Sequence, residues 1–241
     1  MRLDKFLTMT GQGTRSEVKK ILKSGTITVN GQPVKKPEQK IDPDKDVIMA
    51  ADRRLLYEPF ICLMFHKPSG CITATSDRQQ KTVMDYIDHE RKDELFPVGR
   101  LDIDTEGLLL LMNDGDLAHR MLSPKHHVEK TYFVRVEGFV TDEDGLAFAN
   151  GIDIGEKNLT MPAQLRILKS DEISEAELTI CEGKFHQVKR MFEARGKKVI
   201  YLKRVSMAGL VLDETLEAGQ WRKLNSEEIR RLQELNNAEK H

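Results

Sequence analysis

GRLDIDTEGLLLLMNDG (residues 99–115) is the most distinctive segment of this chain. Its apolar run, residues 108–112, is short and continuous, which predicts a buried strand. Arg100, Asp102 and Asp104 come shortly before that strand. The segment therefore predicts a buried sheet strand that is preceded by a charged loop.

The two carboxylates of this loop allow two interpretations. In an extended chain, side chains two residues apart point the same way and lie roughly 6–7 Å apart. Asp102 and Asp104 could then serve as the acid and base of a glycoside hydrolase. The alternative is structural, because residues 104–107 (DTEG) have the composition of a turn and Arg100 would simply pair with an acid.

Further strands and helices are predicted on both sides of this loop. Strands are predicted at 61–65, 132–136, 163–168, 176–181, 198–205 and 209–212, and helices at 82–87, 116–122, 142–150, 185–195 and 227–235. Strands outnumber helices and do not alternate strictly with them. The fold class is therefore expected to be α+β, with a mostly antiparallel mixed sheet flanked by helices.

The first fifty residues have a different pattern, which predicts a small domain of their own. A helix is predicted at 3–10, and Ser16 is expected to cap a second helix that ends at Gly25. The pair Asn30-Gly31, which follows residues that alternate as in a strand, predicts a hairpin turn. The expected organisation is a small domain at 1–52, a linker at 53–59 and a larger domain at 60–237.

Charge is distributed unevenly, although 38 Lys or Arg nearly balance 39 Asp or Glu. Residues 1–41 and residues 181–204 each carry a net charge of +6, and the remainder carries −13. Two basic islands on an acidic body are typical of a protein that holds a polyanion at two places, although they could also be two solvated faces. Arg15 precedes a helix on which Lys19 and Lys23 repel each other mildly, and a phosphate would relieve that repulsion.

The composition argues against several classes of protein. The longest apolar runs, 60–65 and 107–112, are far shorter than the roughly 20 residues that span a bilayer, and the N-terminus has no apolar signal region. Three cysteines without a CxxC pair predict a reducing cytoplasm rather than a disulfide scaffold. No metal site is expected, because His119, His126 and His127 lack an i, i+4 ligand pair.

A second distinctive segment, EGKFHQVKRMFEARGKKV (residues 182–199), is predicted to contain an amphipathic helix. Its apolar face is expected to contain Phe185, Val188, Met191 and Phe192. His186 and Arg190 would lie on the other face, with Lys189 at the boundary. Such a helix can direct a basic, hydrogen-bonding face outward from a buried one.

These segments resemble known families. RLDKFL, TRSEVKKILKSGTITVNG and DKDVIM, within residues 1–50, resemble the αL RNA-binding domain of ribosomal protein S4. That domain, the 99–115 segment, Lys130-Thr131-Tyr132 and the 182–199 segment together resemble the RsuA family of rRNA pseudouridine synthases over essentially the whole chain. SPKHHVEKTY, at 123–132, is most similar to the small-subunit branch, whose target is a uridine of 16S rRNA.

The resemblance implies roles for individual residues. The first Asp of the Gly-Arg-Leu-Asp motif is the catalytic one, hence Asp102, which leaves Asp104 as a loop residue. Tyr132 matches the tyrosine that packs against the target base; from the residues alone it would be a core residue of a strand. Lys189 matches the basic residue beside the catalytic carboxylate, where the alternative is a phosphate contact or a plain surface lysine. RNA contacts are expected from Arg100, which matches a residue that holds the displaced backbone, and from Lys130, Lys184, His186, Gln187, Arg190, Arg15, Lys19 and Lys23.

The implied reaction converts uridine to pseudouridine and takes up no atoms or electrons, so no cofactor is expected. Asp102 would act by covalent attack or by abstraction of a sugar proton. The expected partner is 16S rRNA, either free or in an assembling small-subunit particle, and the expected state is a cytoplasmic monomer. The alternatives are a non-catalytic ribosome-assembly factor and a synthase of the same family that acts on 23S rRNA. A glycoside hydrolase is a weaker alternative, because the chain has one Trp and 6% aromatic residues.

Overall fold

The computed structural model describes residues 1–43, 45–58 and 60–237. The chain forms two compact units. The first consists of Met1–Phe60 together with Asp88–Asp93, and the second of Ile61–Ile87 together with the chain from Glu94 onward. A short segment from the middle of the sequence therefore belongs to the N-terminal unit.

The N-terminal unit combines two helices with a small antiparallel sheet. Its elements are α1 (Leu3–Met9), α2 (Arg15–Ser24), β1 (Ile27–Val29), β2 (Gln32–Pro33), β3 (Ile48–Ala50) and β4 (Arg53–Leu55). The strands follow the order β2-β1-β3-β4. The apolar sides of both helices and of β1 form one core that includes Leu3, Phe6, Val18, Leu22 and Ile27.

Two local predictions in this unit were wrong. Thr14, rather than Ser16, caps α2: its hydroxyl accepts from the Glu17 amide, and the Glu17 carboxylate accepts from the Thr14 amide. This reciprocal pair satisfies two amides at the helix start. Residues 53–55, expected to begin a linker, form β4 and pair with β3. Pro59, in the same predicted linker, lies outside the described residues.

The second unit is built on a large mixed sheet. Its strands are β5 (Cys62–Lys67), β6 (Phe96–Pro97), β7 (Glu106–Met112), β8 (Lys130–Glu137), β9 (Gln164–Lys169), β10 (Ile173–Ile180), β11 (Lys198–Met207), β12 (Leu210–Val211) and β13 (Trp221–Lys223). Its α-helices are α3 (Gly115–Leu122), α4 (Asp142–Ala149), α5 (Gln187–Glu193) and α6 (Ser226–Asn237), with short 3₁₀ turns at Val83–Tyr86 and Pro124–His126. A further 3₁₀ turn, Lys92–Glu94, begins in the segment that belongs to the N-terminal unit.

The order of the sheet is β13-β5-β7-β11-β8-β10-β9, with β6 paired to β7 and β12 to β11. Within the described residues, every named strand pair of this sheet is antiparallel except β7 with β11. The α+β prediction with a mostly antiparallel mixed sheet is confirmed. The strand predicted at 108–112 is β7, and its buried leucines lie between β5 and β11.

Gly107 allows the parallel pairing of β7 with β11. It pairs with Arg204 of β11 and has a φ of +105°. A Cβ atom at this position would lie 2.2 Å from the Arg204 carbonyl oxygen, which no side chain tolerates. The glycine of the 99–115 segment is therefore required by the approach of β11, since only glycine has no side chain there.

Two predicted helices differ from the observed ones. The segment at 82–87 is a 3₁₀ turn over Val83–Tyr86, begun by Thr82 and Asp85 in a capping box. The helix predicted at 185–195 is shorter, because α5 begins only at Gln187. Phe185 therefore does not join the apolar face of α5, and it is 72% exposed. In the described part of the chain, no helix combines the length and apolar character that crossing a membrane needs.

Candidate active site

Asp102 lies on a tight turn immediately before β7. The Thr105 amide donates to the Asp102 carbonyl at 3.1 Å, which closes the turn. The extended spacing considered for Asp102 and Asp104 is therefore not observed. Instead, both carboxylates approach one ammonium group: Lys189 Nζ lies 3.3 Å from Asp102 Oδ2 and 2.6 Å from Asp104 Oδ1.

Lys67 holds the backbone of this turn from within the protein. Its side chain is fully buried, and Nζ donates to the carbonyls of Asp102 at 3.0 Å and Thr105 at 2.9 Å. It also reaches the carbonyls of Ile103 and Pro68. Burial lowers the pKa of Lys67, because its charge is removed from water. Lys67 thus determines the shape of the loop that presents Asp102.

The charges around Asp102 come from the start and first turn of α5. His186 Nε2 lies 3.5 Å from Asp102 Oδ1, a contact that is ionic only when the imidazole is protonated. Burial acts to raise the pKa of Asp104, but the hydrogen bond and charge of Lys189 outweigh it and hold that pKa below its ordinary value. The Asp102 side chain is 27% exposed, so solvent reaches it.

Tyr132 contributes the sheet side of the site. It lies in β8 opposite Arg204 of β11, and Lys130 precedes it by two residues on the same face of the strand. Lys130 Nζ donates to the Val128 carbonyl, and Arg204 Nε donates to the Leu108 carbonyl. Burial, with a smaller contribution from Arg204, lowers the pKa of Lys130 to about 8. Two buried cations therefore lie close to the tyrosine.

A cavity of about 970 Å³ brings these groups together. Its lining includes Arg100, Asp102, Asp104, Lys130, Tyr132, Lys184, His186, Lys189 and Arg204. A smaller adjoining cavity of about 80 Å³ shares Asp102 and Tyr132 and adds Gln187. The catalytic set predicted from the sequence, Asp102, Tyr132 and Lys189, thus converges on one concave surface of a size that suits a small organic group.

Several predicted RNA contacts are used within the protein itself. Gln187 is 3% exposed; its amide nitrogen donates to Glu182 and its oxygen accepts from the Lys184 amide. Lys184 Nζ donates to the carbonyls of Asn158 and Leu159. Arg190 pairs with Glu156 at 2.8 Å. These residues hold the loop before α5, so the structure gives them a positioning role at the site.

In the N-terminal unit, the predicted basic residues share one side of α2. Arg15, Lys19 and Lys23 are all exposed and recur every four residues along the helix. Val18 and Leu22 of the same helix are fully buried. The buried pair therefore directs a row of positive charge outward, which suits contact with a phosphate backbone.

Three residues of the site were missed from the sequence. Lys67 and Arg204 are buried basic residues of β5 and β11, and Thr73 exchanges hydrogen bonds between its hydroxyl and the Leu101 backbone. A lysine two residues after the apolar run 61–65 and just before Pro68 was a usable signal. Arg204 has no comparable signal, because it was counted only as part of a basic island. Among the described residues, no group of three or more His, Cys, Asp or Glu could hold a metal ion.

Comparisons with known proteins agree with this arrangement. Residues 61–194 match the family model described as RNA pseudouridylate synthase, and residues 1–48 match the S4 domain. The chain is 45% identical to "Uncharacterized RNA pseudouridine synthase YtzG" of Bacillus subtilis. The alignment covers 97% of this chain and 99% of that relative. It is 40% identical, covering 96% of this chain and 99% of the other, to "Ribosomal small subunit pseudouridine synthase A" of Haemophilus influenzae.

A solved structure described as "Crystal structure of pseudouridylate synthase" is also similar. It shares 41% identity and a TM-score of 0.68 over 96% of this chain and 99% of that one. The fold and site together define an RNA-modifying enzyme with an attached RNA-binding domain. The chain belongs to the RNA pseudouridylate synthase family. The family predicted from the sequence is confirmed.

Proposed function

We propose that this enzyme converts a uridine of small-subunit 16S rRNA to pseudouridine, with Asp102 as the catalytic carboxylate. The observation that carries the proposal is the Asp102 carboxylate, 3.3 Å from Lys189 Nζ, in a cavity that it shares with Tyr132. The choice of RNA is supported by relatives named ribosomal small subunit pseudouridine synthase A.

The reaction exchanges one bond to the ribose for another. The N1–C1′ bond breaks, the base turns within the cavity, and C5 bonds to C1′. The proton on C5 leaves and N1 gains one, so atoms and electrons balance. Asp102 acts by attack on the substrate or by abstraction of a sugar proton. Lys189 supplies positive charge beside it and holds the carboxylate in place.

The target uridine must leave its stack to reach Asp102, because a base within folded RNA is not accessible to the enzyme. Tyr132 offers an aromatic ring against which the displaced base packs. We propose that Arg100, which is exposed and lines the cavity, contacts the displaced backbone. We propose the exposed row on α2, Arg15, Lys19 and Lys23, as a second RNA contact.

We also propose that the enzyme works as a monomer in the cytoplasm, on rRNA or on an assembling small-subunit particle. Phosphate contacts release counterions, so binding should weaken as salt is raised. Reversing the charge at Lys19 and Lys23 should reduce rRNA affinity and leave turnover at saturating RNA nearly unchanged.

Mapping of pseudouridine tests the proposal. Purified enzyme is incubated with 16S transcript, 23S transcript and small-subunit precursor particles, and modified positions are read by sequencing after chemical marking. Wild type should modify one position of 16S rRNA, and Asp102→Asn should modify none. Asp104→Asn is the matched control, since it removes the neighbouring carboxylate and should lose far less activity.

The outcomes separate the alternatives. Modification of 23S rRNA alone would contradict the proposed substrate. Full activity of Asp102→Asn would contradict its catalytic role. Tight rRNA binding by wild type without pseudouridine on any of the three substrates would favour an assembly factor that acts by binding only.

A further inference from the structure

Phe185 is an exposed aromatic residue at the mouth of the cavity around Asp102. Its side chain is 72% exposed, although the residue lines the cavity. One face of the ring is covered by His186, with ring centroids 3.8 Å apart and planes 18° apart. His186 in turn approaches the Asp102 carboxylate at 3.5 Å. The flat ring of Phe185 therefore stacks on His186, the residue that contacts the Asp102 carboxylate.

The backbone around Phe185 is held in place by several contacts. Arg190 Nη1 donates to the Phe185 carbonyl at 3.0 Å, and Lys184 Nζ donates to the Leu159 carbonyl at 3.0 Å. His186 adopts a left-handed conformation with φ of +49°, which a non-glycine residue keeps only where its surroundings impose it. The ring is therefore presented by a fixed loop, and its position is set before any ligand arrives.

Two other exposed apolar side chains lie on the same rim. Ile103, directly after Asp102, is 48% exposed, and Leu122 is 42% exposed. Both line the cavity with Phe185. Leu122 also lies where a side chain on Gly99 would collide with it, at 2.8 Å. Apolar side chains gathered around the opening of a charged cavity mark a surface that another molecule covers.

We propose that Phe185 forms a stacking subsite for an unpaired nucleobase adjacent to the target uridine. The inference rests on the proposed function, since it describes how the same site holds its RNA. A base stacks on an aromatic ring whatever its identity, because every base has a π face. When the target uridine leaves its stack, its neighbour loses a stacking partner, and Phe185 replaces it. The subsite thus selects RNA in which that neighbour is unpaired.

Steady-state kinetics with short RNAs tests this subsite. The substrate is a synthetic RNA that carries the uridine mapped above, and two further RNAs have an abasic site immediately 5′ or 3′ of it. Wild type is compared with Phe185→Leu, which is apolar but not flat, and Phe185→Trp, which keeps a stacking surface. Phe139→Leu is the matched control, because Phe139 is 57% exposed and does not line either cavity described here.

Phe185→Leu should raise KM about 5- to 100-fold with kcat nearly unchanged, whereas Phe185→Trp and Phe139→Leu should behave like wild type. For wild type, the KM for one of the two abasic RNAs should exceed the KM for the intact RNA by a similar factor. For Phe185→Leu, the KM values for these two RNAs should be nearly equal. A Phe185→Leu KM within twofold of wild type would overturn the subsite, and so would abasic effects of equal size in both enzymes.

Binding to the same RNAs is also measured in the Asp102→Asn background, where no turnover occurs. The dissociation constant should show the same pattern of coupling between Phe185 and one abasic position. If the mapped uridine lies in 23S rRNA rather than 16S rRNA and this coupling appears, the proposed function fails and the subsite stands. If turnover is normal and the coupling is missing in both measurements, the subsite fails and the proposed function stands.

Discussion

Two lysines hold the Asp102 turn in different ways. Lys67 is fully buried and donates to backbone carbonyls, those of Asp102 and Thr105 among them. Lys189 is one-quarter exposed and contacts the carboxylates of Asp102 and Asp104 instead. The first lysine therefore constrains the path of the chain, and the second controls the charge that the chain presents.

The difference between them lies in what replaces each contact when it is lost. The Lys67 side chain is buried, and so is its hydrogen bond to the Thr105 carbonyl, so a buried carbonyl left without this donor costs about 1–3 kcal/mol. Carboxylates beside Lys189 remain partly hydrated, and a pair of this kind contributes at most about 1 kcal/mol to folding. We therefore expect Lys67 to control stability and Lys189 to control chemistry.

Replacement of Lys67 should have the largest effect. Lys67→Met keeps much of the side-chain volume but leaves the Asp102 and Thr105 carbonyls without their donor. The free energy of unfolding should fall by about 2–4 kcal/mol, and pseudouridine formation should fall with it. Urea unfolding followed by circular dichroism measures the first effect. An equally stable Lys67→Met protein would contradict the role assigned to this lysine.

Replacement of Lys189 should affect activity with little change in stability. Lys189→Met removes the charge beside Asp102, and kcat should fall about 100-fold, in the range of lost electrostatic stabilisation at a catalytic centre. The melting temperature should change by no more than a few degrees. Lys189→Arg keeps the charge and should recover part of the rate. A Lys189→Met enzyme with wild-type kcat would leave this lysine with a binding role only.

Lys130 is also a buried lysine, but its Nζ donates to the Val128 carbonyl rather than to the Asp102 turn. Its pKa is lowered to about 8 in the folded protein by burial, against about 10.4 in the unfolded chain. The unfolded state therefore binds more protons between these values, and stability should rise with pH across that window. Compared with Lys130→Met, wild type should gain at most about 3 kcal/mol between pH 8 and 10.5.

This pH effect is measured by urea unfolding of both proteins at several pH values. Other groups that titrate in this range are common to wild type and Lys130→Met, so the difference isolates Lys130. Parallel stability curves for the two proteins would show that Lys130 is not held at a lowered pKa.

Asp104→Asn should have the smallest effect. Lys189 holds the pKa of Asp104 below its ordinary value, but this carboxylate is 62% exposed. Removing it should reduce kcat about two- to fivefold, since Lys189 keeps Asp102 as a partner. Kinetics at saturating RNA measures the change. A loss as large as that of Asp102→Asn would mean that the two carboxylates act together.

Much of this arrangement was predictable from local patterns. Five consecutive apolar residues at 108–112 predicted a buried strand, because such a run needs cover on both faces. The alternation of apolar and polar residues around Asn30-Gly31 predicted a hairpin, because this pair favours the tight turn between two strands. Asp102, Tyr132 and Lys189 were identified by resemblance of their motifs, and the resemblance, unlike periodicity, assigned them roles in one site.

Two other features are local and were predicted wrongly. Thr14 rather than Ser16 caps α2, since the reciprocal bonds with Glu17 decide the matter. The exposure of Phe185 contradicts the helical period that placed it on an apolar face. The period applies only inside a helix, and α5 begins two residues later.

Residue type and spacing along the chain predicted the fold class and the two basic islands, and the resemblance of motifs proposed Asp102, Tyr132 and Lys189 as the catalytic residues. Only the tertiary structure decided that Lys67 holds the Asp102 turn and that Arg204 and Lys130 lie beside Tyr132. Residue 67 and residue 102 are far apart in sequence, and a buried ammonium is stable only where folding brings several carbonyls within reach.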